Sequence, residues 1–369
     1  MREWRILLDS PNISELEKEY VLCALESGYV SSIGPLVSEF EERFARYVGA
    51  QYAVATVNGT AAIHLALRLL GIGPGDEVIV PALTFIATVN PVVYVGATPV
   101  VVDVDPLTWN IDPDEVERVI THRTRAIIPV HLYGNPADMS RLTDIAHRYG
   151  LYVIEDAAEA LGSTYEGRHV GTFGDIGVFS FNGNKVITTG GGGMLVTNNP
   201  ELAARARLLV NQGRNSDATE YEHLEVGYNY RLTNIQAALG LAQMERLEQF
   251  LDVKRRNAAL YRELLQNVPG LKWQQELPEG RSSWWMFSVV VDPDRFGKDR
   301  YAVAEKLRKA GIQVRPLFLP LSRQPAYAQY KLKACPVAEL LHERGLNLPS
   351  ASFLTEDDIQ YVCQVILER

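Results

Sequence analysis

The chain has 369 residues, 47% of them hydrophobic and 22% charged, with a net charge of −9. That is the composition of a globular protein of one or two domains with a large core. With no basic run it argues against a nucleic-acid partner, but not against a small anionic ligand, because backbone amides bind phosphate locally.

From about 50 to 200, apolar β-rich runs alternate with helical patterns. Residues 53–57 read as a strand, Asn58-Gly59-Thr60 as a turn and 61–70 as a helix. Strands follow at 77–80, 100–104, 125–130 and 151–155, with helices expected at 85–95, 114–121 and 139–149 between them. The strands are continuous apolar runs (VVVDV, AIIPV, LYVIE), not alternating ones. This pattern predicts a largely parallel α/β sheet covered by helices on both faces. A further apolar strand leads into Lys185, and four glycines, 190–193, precede a strand at 194–197. A helix opens at Pro200. Thr233 and Gln236 have capping-box spacing and should start a long helix over 233–251, with a second helix reaching about 267. The β-like WWMFSVVV at 284–291 begins a smaller α+β domain. The expected division is a large domain over 1–250 and a small one over 251–369.

No stretch approaches 18 uninterrupted apolar residues, so no membrane span is expected. The N-terminus lacks the apolar core of a signal peptide. Cys23, Cys335 and Cys363 are far apart and odd in number, which fits neither a metal site nor a disulfide framework and suggests a cytoplasmic setting.

Lys185 follows a strand that reads as buried and precedes the glycine run. A desolvated lysine loses its proton easily and becomes an amine nucleophile, the property of a Schiff-base lysine. Glu155, Asp156 and Glu159 gather three carboxylates at another strand end, where open parallel sheets bind ligands. They read equally well as acids favouring a helix N-terminus. A functional Asp156 would keep a heteroaromatic nitrogen protonated. The turn at Asn58–Ala61 offers free amides and the Thr60 hydroxyl to a phosphate. It has neither the dinucleotide glycine pattern nor a P-loop, and the missing dinucleotide pattern disfavours an oxidoreductase. Ser180 adds a hydroxyl at a strand end. Phe85, taken alone, reads as core, and His131 as a hydrogen-bonded structural histidine. No zinc-protease motif or nucleophile elbow is present.

In order, VSSIGPLVSEFEERFARYVG, NGTAAIHLAL, TFIATVN, VIEDAAEALGS, FSFNGNK, GGGGM and GYNYRLTNIQAALG resemble the DegT/DnrJ/EryC1/StrS family of sugar aminotransferases. The likeness runs over nearly the whole chain and is nearest to the perosamine-synthase-like 4-aminotransferases of 4-keto-6-deoxy nucleotide sugars. It implies a pyridoxal 5'-phosphate enzyme with the aspartate-aminotransferase (type I) fold. By resemblance, Lys185 carries the cofactor covalently and Asp156 faces its ring nitrogen. Thr60, Ala61 and Ser180 contact its phosphate, Phe85 stacks on the ring, and Glu159 lies near the ring and its hydroxyl. Asn229 reaches the phosphate in a neighbouring subunit, which implies a homodimer with shared sites. The implied substrates are glutamate and a keto nucleotide sugar aminated at C4, with C3 as the alternative. The product would be a deoxyamino sugar for a polysaccharide, a glycoprotein or a secondary metabolite. Dehydratase members carry His in place of the lysine, and a non-catalytic regulator would not need Lys185, Asp156 and Ser180 intact. One segment departs from the family: Arg315 and Phe318 are kept in RPLFLPLSRQPAY, but Leu319 and Ser322 stand where Tyr and His are common. The choice of sugar is expected to lie there.

Overall fold

The computed structural model describes residues 4–215, 218–330 and 332–368. Its central sheet has seven strands: β1 Tyr52–Thr56, β2 Glu77–Pro81, β3 Thr98–Val102, β4 Thr124–Ile127, β5 Tyr152–Asp156, β6 Ile176–Ser180 and β7 Gly193–Thr197. They lie in the order β1-β7-β6-β5-β4-β2-β3. Only β7 runs against its neighbours; the other pairs are parallel. Val78–Val80 of β2, Ala126 and Ile127 of β4, and Val153 and Ile154 of β5 are fully or almost fully buried, as continuous apolar strands predict for a sheet covered on both faces. Helix Gly59–Leu69 packs on β6 and β7, Pro35–Val48 on β1 and Met139–Tyr149 on β5.

Two expected elements differ. The helix at 85–95 is a short 3₁₀ turn, Ile86–Thr88, followed by the five-residue helix Asn90–Tyr94. Pro91 has no amide to continue a helix through it, and Phe85 stays extended (φ −69°, ψ 142°). The long helix from Thr233 stops at Glu245, and a new one runs over Leu247–Leu265. Between them Arg246 interrupts the regular helix (φ −105°, ψ 0°) and its guanidinium is held by Glu17, at 2.8 Å, and Asn12. That tertiary contact outweighs the helix propensity of the run.

A second, antiparallel sheet joins Leu271–Trp273, Phe287–Val291, Gly345–Leu348 and Arg315–Pro316. Helix Leu247–Leu265 spans both cores: Leu247, Phe250 and Leu251 pack with the large one, Ala258, Tyr261 and Leu265 with the small one. The N-terminal segment also crosses, with Ile6 in the small core and Leu8 in the large. Trp285 and Met286 extend from the small sheet into the large core. No helix among the described residues is long and apolar enough to cross a membrane.

Candidate active site

A cavity of about 340 Å³ opens beyond the carboxyl ends of β1, β2, β5 and β6. Open α/β sheets bind ligands at this edge. Lys185, Asp156, Glu159, Thr60, Phe85 and Ser180 all line it; Ala61 and Asn229 do not.

Lys185 reaches the cavity from the turn between β6 and β7, where its amide donates to the Asn182 carbonyl. Gly190 takes a left-handed conformation (φ 79°) to turn the chain back. Gly193 must lack a Cβ, because one there would lie 2.5 Å from the Asn58 carbonyl carbon. The Lys185 side chain is 14% exposed. Its Nζ lies 3.6 Å from Glu159 Oε1 and 4.0 Å from the centre of the Trp285 ring.

The three carboxylates divide their work. Successive residues of a strand face opposite sides, so Glu155 and Asp156 part company. Glu155 points into the protein, accepting from the amides of Gly171, Phe173 and Gly174 and from His131 Nε2 at 3.0 Å. His131 Nδ1 accepts from the Ala137 amide, so Nε2 carries the proton and the ring is structural. Burial alone would raise the Glu155 carboxyl; the histidine and the amides overcome it and hold it below the usual range. Glu155→Gln should therefore cost about 2–4 kcal/mol, read as a lowered urea midpoint at pH 7. A depressed carboxyl stabilises the fold above its unfolded pKa and loses that contribution as pH falls through the folded one. The gap between the variant and the native chain should close in acid.

Asp156 faces the cavity. Its Oδ2 accepts from the Thr88 hydroxyl at 2.7 Å and its Oδ1 from the Ala158 amide at 3.1 Å. Burial pushes this carboxyl above its usual range, while Thr88, Ala158 and the charge of Lys185 pull the other way. Among the described residues no ion pair is formed to Asp156, so a cationic group entering the cavity meets an unneutralised buried acid. Glu159 is also raised by burial, against the opposing pull of Lys185 and of the Tyr133 amide, which donates to Oε2 at 2.9 Å.

At the other side of the cavity, Asn58 caps helix Gly59–Leu69. Its Oδ1 takes the Ala61 amide at 2.8 Å, so that amide is engaged by the cap here. Gly59 and Thr60 keep their first-turn amides, which have no intrahelical acceptor. A Cβ on Gly59 would sit 3.1 Å from that of Ser180, so bare backbone faces the serine. Phe85 is not core: it is 55% exposed and lies 5.7 Å from Phe318 across the cavity wall. Asn229 is exposed and bridges Asn211 at the base of an outlying arm, away from its own chain's cavity. Arg315 and Phe318 line the cavity, but the departing residues Leu319 and Ser322 do not. Ser322 instead hydrogen-bonds Glu339 at 3.4 Å.

Trp285, Thr88 and Tyr133 were not singled out in the sequence. Trp285 lies in an apolar strand-like run, 100 positions beyond Lys185, and nothing local marks it. Tyr133 has a left-handed backbone (φ 56°) and no exposure, a strain visible only in three dimensions.

The open helix amides beside Ser180, the aromatic wall, the unneutralised buried acid and the amine match the phosphate, ring, ring nitrogen and carbonyl of pyridoxal phosphate. Fold and cavity together define a type I pyridoxal-phosphate enzyme. The model of the DegT/DnrJ/EryC1/StrS aminotransferase family matches residues 11–367, and the chain belongs to that family. It is 46% identical to a GDP-perosamine synthase of Caulobacter vibrioides, over 97% of this chain and 96% of the relative. Another GDP-perosamine synthase, from Escherichia coli O157:H7, is 44% identical over 97% and 96%. The solved E. coli GDP-4-keto-6-deoxy-D-mannose-3-dehydratase with bound hydrated PLP superposes with a TM-score of 0.92 at 29% identity, covering 99% of this chain and all of that one. The chain is thus a pyridoxal-phosphate-dependent sugar aminotransferase.

Proposed function

We propose that the enzyme moves the amino group of L-glutamate to C4 of a GDP-linked 4-keto-6-deoxy sugar, in the cytoplasm, as a homodimer with shared active sites. The observation that carries this reading is the identity of 46% and 44% with two GDP-perosamine synthases over 97% of the chain. The dehydratase relative shows that the family fold also serves loss of a hydroxyl; Lys185 favours transamination here, since by resemblance dehydratases carry His at that position.

When bound, pyridoxal phosphate supplies the carbonyl that carries the amino group and a conjugated ring that accepts an electron pair. Lys185 is assigned to hold the cofactor and then, freed, to move a proton from the donor's α-carbon and later to C4 of the sugar. Glu159 steadies its ammonium form. Asp156 keeps the ring nitrogen protonated, which in turn neutralises the buried acid. Thr60, Ser180 and the first-turn amides of Gly59 and Thr60 hold the phosphate, and Phe85 covers the ring. Arg315 is the other cation lining the cavity among the described residues. A donor carboxylate or a nucleotide diphosphate entering there would meet it.

The arm carrying Asn229 exposes Tyr221, Leu224 and Val226 at 81%, 58% and 86%. Apolar side chains this open suit an interface with a second copy. If Asn229 serves the partner's site, mixing Lys185→Ala chains with Asn229→Asp chains should restore about a quarter of native activity, because half the dimers carry one intact site. A site built within one chain would show no recovery above the parents. For the substrate, the test is a panel of GDP-, dTDP- and UDP-linked 4-keto and 3-keto sugars, each offered with several amino donors and read by product mass. Preference for GDP-linked 4-keto sugar and glutamate is expected. Turnover of 3-keto sugars alone would overturn the C4 assignment.

A further inference from the structure

We infer that Trp285 is a positioning residue for the Lys185 amine, giving it a fixed resting place on the aromatic face near Glu159. The inference rests on Lys185 being the amine that moves the proton.

Three contacts hold Trp285. Its indole Nε1 donates to the Asn184 carbonyl at 2.6 Å, fixing the peptide immediately before Lys185. Its ring stacks on Tyr133, with centroids 6.2 Å apart and planes 29° from parallel. Its carbonyl accepts from Lys254 Nζ at 3.3 Å, and that ammonium also donates to the Ser350 carbonyl at 2.7 Å. Trp285 is only 3% exposed. Tyr133 thus supports both neighbours of the amine: it stacks on the indole, and its amide holds Glu159.

A lysine amine sits on a flexible four-carbon stem. When freed from the cofactor it must stay within reach of the reacting carbon, and misplacement by about 1 Å can cost on the order of 100-fold. An indole face attracts an ammonium by its quadrupole, most strongly where water is excluded. Glu159 at 3.6 Å and the Trp285 ring at 4.0 Å together confine Nζ. Trp285 lies two residues before the strand Phe287–Val291, and its indole hydrogen bond to the Asn184 carbonyl ties that segment to the site.

The test compares Trp285→Leu with Trp285→Phe in the holoenzyme. With Leu, kcat should fall about 3- to 30-fold while KM for donor and sugar changes less than about 2-fold. Phe keeps an aromatic face and should recover most of the loss. A second readout needs no turnover: the rate at which apoenzyme is loaded with pyridoxal phosphate at Lys185, trapped by borohydride and read by peptide mass. It should fall with Leu and recover with Phe. A third is a double-mutant cycle in Lys185→Ala supplied with ethylamine, where Trp285→Leu should change the rescued rate less than about 2-fold. Unchanged kcat and loading in Trp285→Leu would overturn the proposal. So would an equal loss in the Lys185→Ala background, or Phe behaving like Leu. If ethylamine restores nothing, or the Leu variant does not fold, the loading rate of the Phe variant decides: native-like loading supports the proposal, and loading slowed as far as 30-fold defeats it. A native enzyme inactive on every keto sugar would refute the proposed substrate yet leave the loading result standing.

Discussion

Lys185→Ala is expected to abolish turnover, with a loss of about 10⁴-fold or more. Removing a general base alone costs about 10²–10⁴-fold. Lys185 is assigned a second role as the covalent anchor, so its loss should exceed that range. The side chain is only 14% exposed and pairs with Glu159 at 3.6 Å. Among the described residues no other lysine lines the cavity to replace it. The variant should still bind pyridoxal phosphate noncovalently through Thr60, Ser180 and the open helix amides. Borohydride treatment followed by peptide mapping checks this directly: native chain is labelled at Lys185 and the variant nowhere. A variant that turned over normally would refute the assignment.

Asp156→Asn should lower kcat by about 10²–10³-fold, the scale of losing one preorganised electrostatic contact. The substitution is nearly isosteric, so the loss reports charge more than shape. Thr88 can turn its hydroxyl to accept from the new amide, since it shares a hydrogen bond at 2.7 Å with Thr84 in which either can donate. The Ala158 amide keeps an oxygen to bond. Burial already disfavours the charged carboxylate, so apoenzyme stability should be unchanged or slightly higher in the variant. Activity and stability are thus predicted to part. Parallel urea melts and half-reaction kinetics with the amino donor would show it; equal loss of both would mean Asp156 is structural.

Lys185 and Asp156 could be placed at the cavity from sequence because a parallel sheet declares where its strands end. LYVIE followed by Asp156 and GVFSF followed by Lys185 are continuous apolar runs with a polar residue at the exit, and in space the exits converge. The same logic could not separate Glu155 from Asp156 as a site, because the partners of Glu155 arrive from the loop at 171–174. Phe85 reads as core only when taken alone, and the resemblance was needed to place it by the ring; its exposure goes with the extended backbone before the short 3₁₀ turn. The Asn58 cap on the Ala61 amide was likewise not legible, since it depends on how the Asn58 side chain turns onto the helix. Trp285 could not be found at all, since its meaning depends on a strand of another sheet approaching the lysine. The break at Arg246 was missed for a similar reason: Glu17 and Asn12, more than 200 residues earlier, enforce it.

The central claim is that this chain places nitrogen from an amino acid on C4 of a nucleotide-linked keto sugar. The most direct measurement is the position of ¹⁵N after the purified holoenzyme is given [¹⁵N]glutamate and a GDP-linked 4-keto-6-deoxyhexose. The prediction is a product gaining one labelled nitrogen, with its coupling at C4 in the NMR spectrum. Label at C3, loss of the 3-hydroxyl without label, or no incorporation by an enzyme that binds pyridoxal phosphate would contradict it.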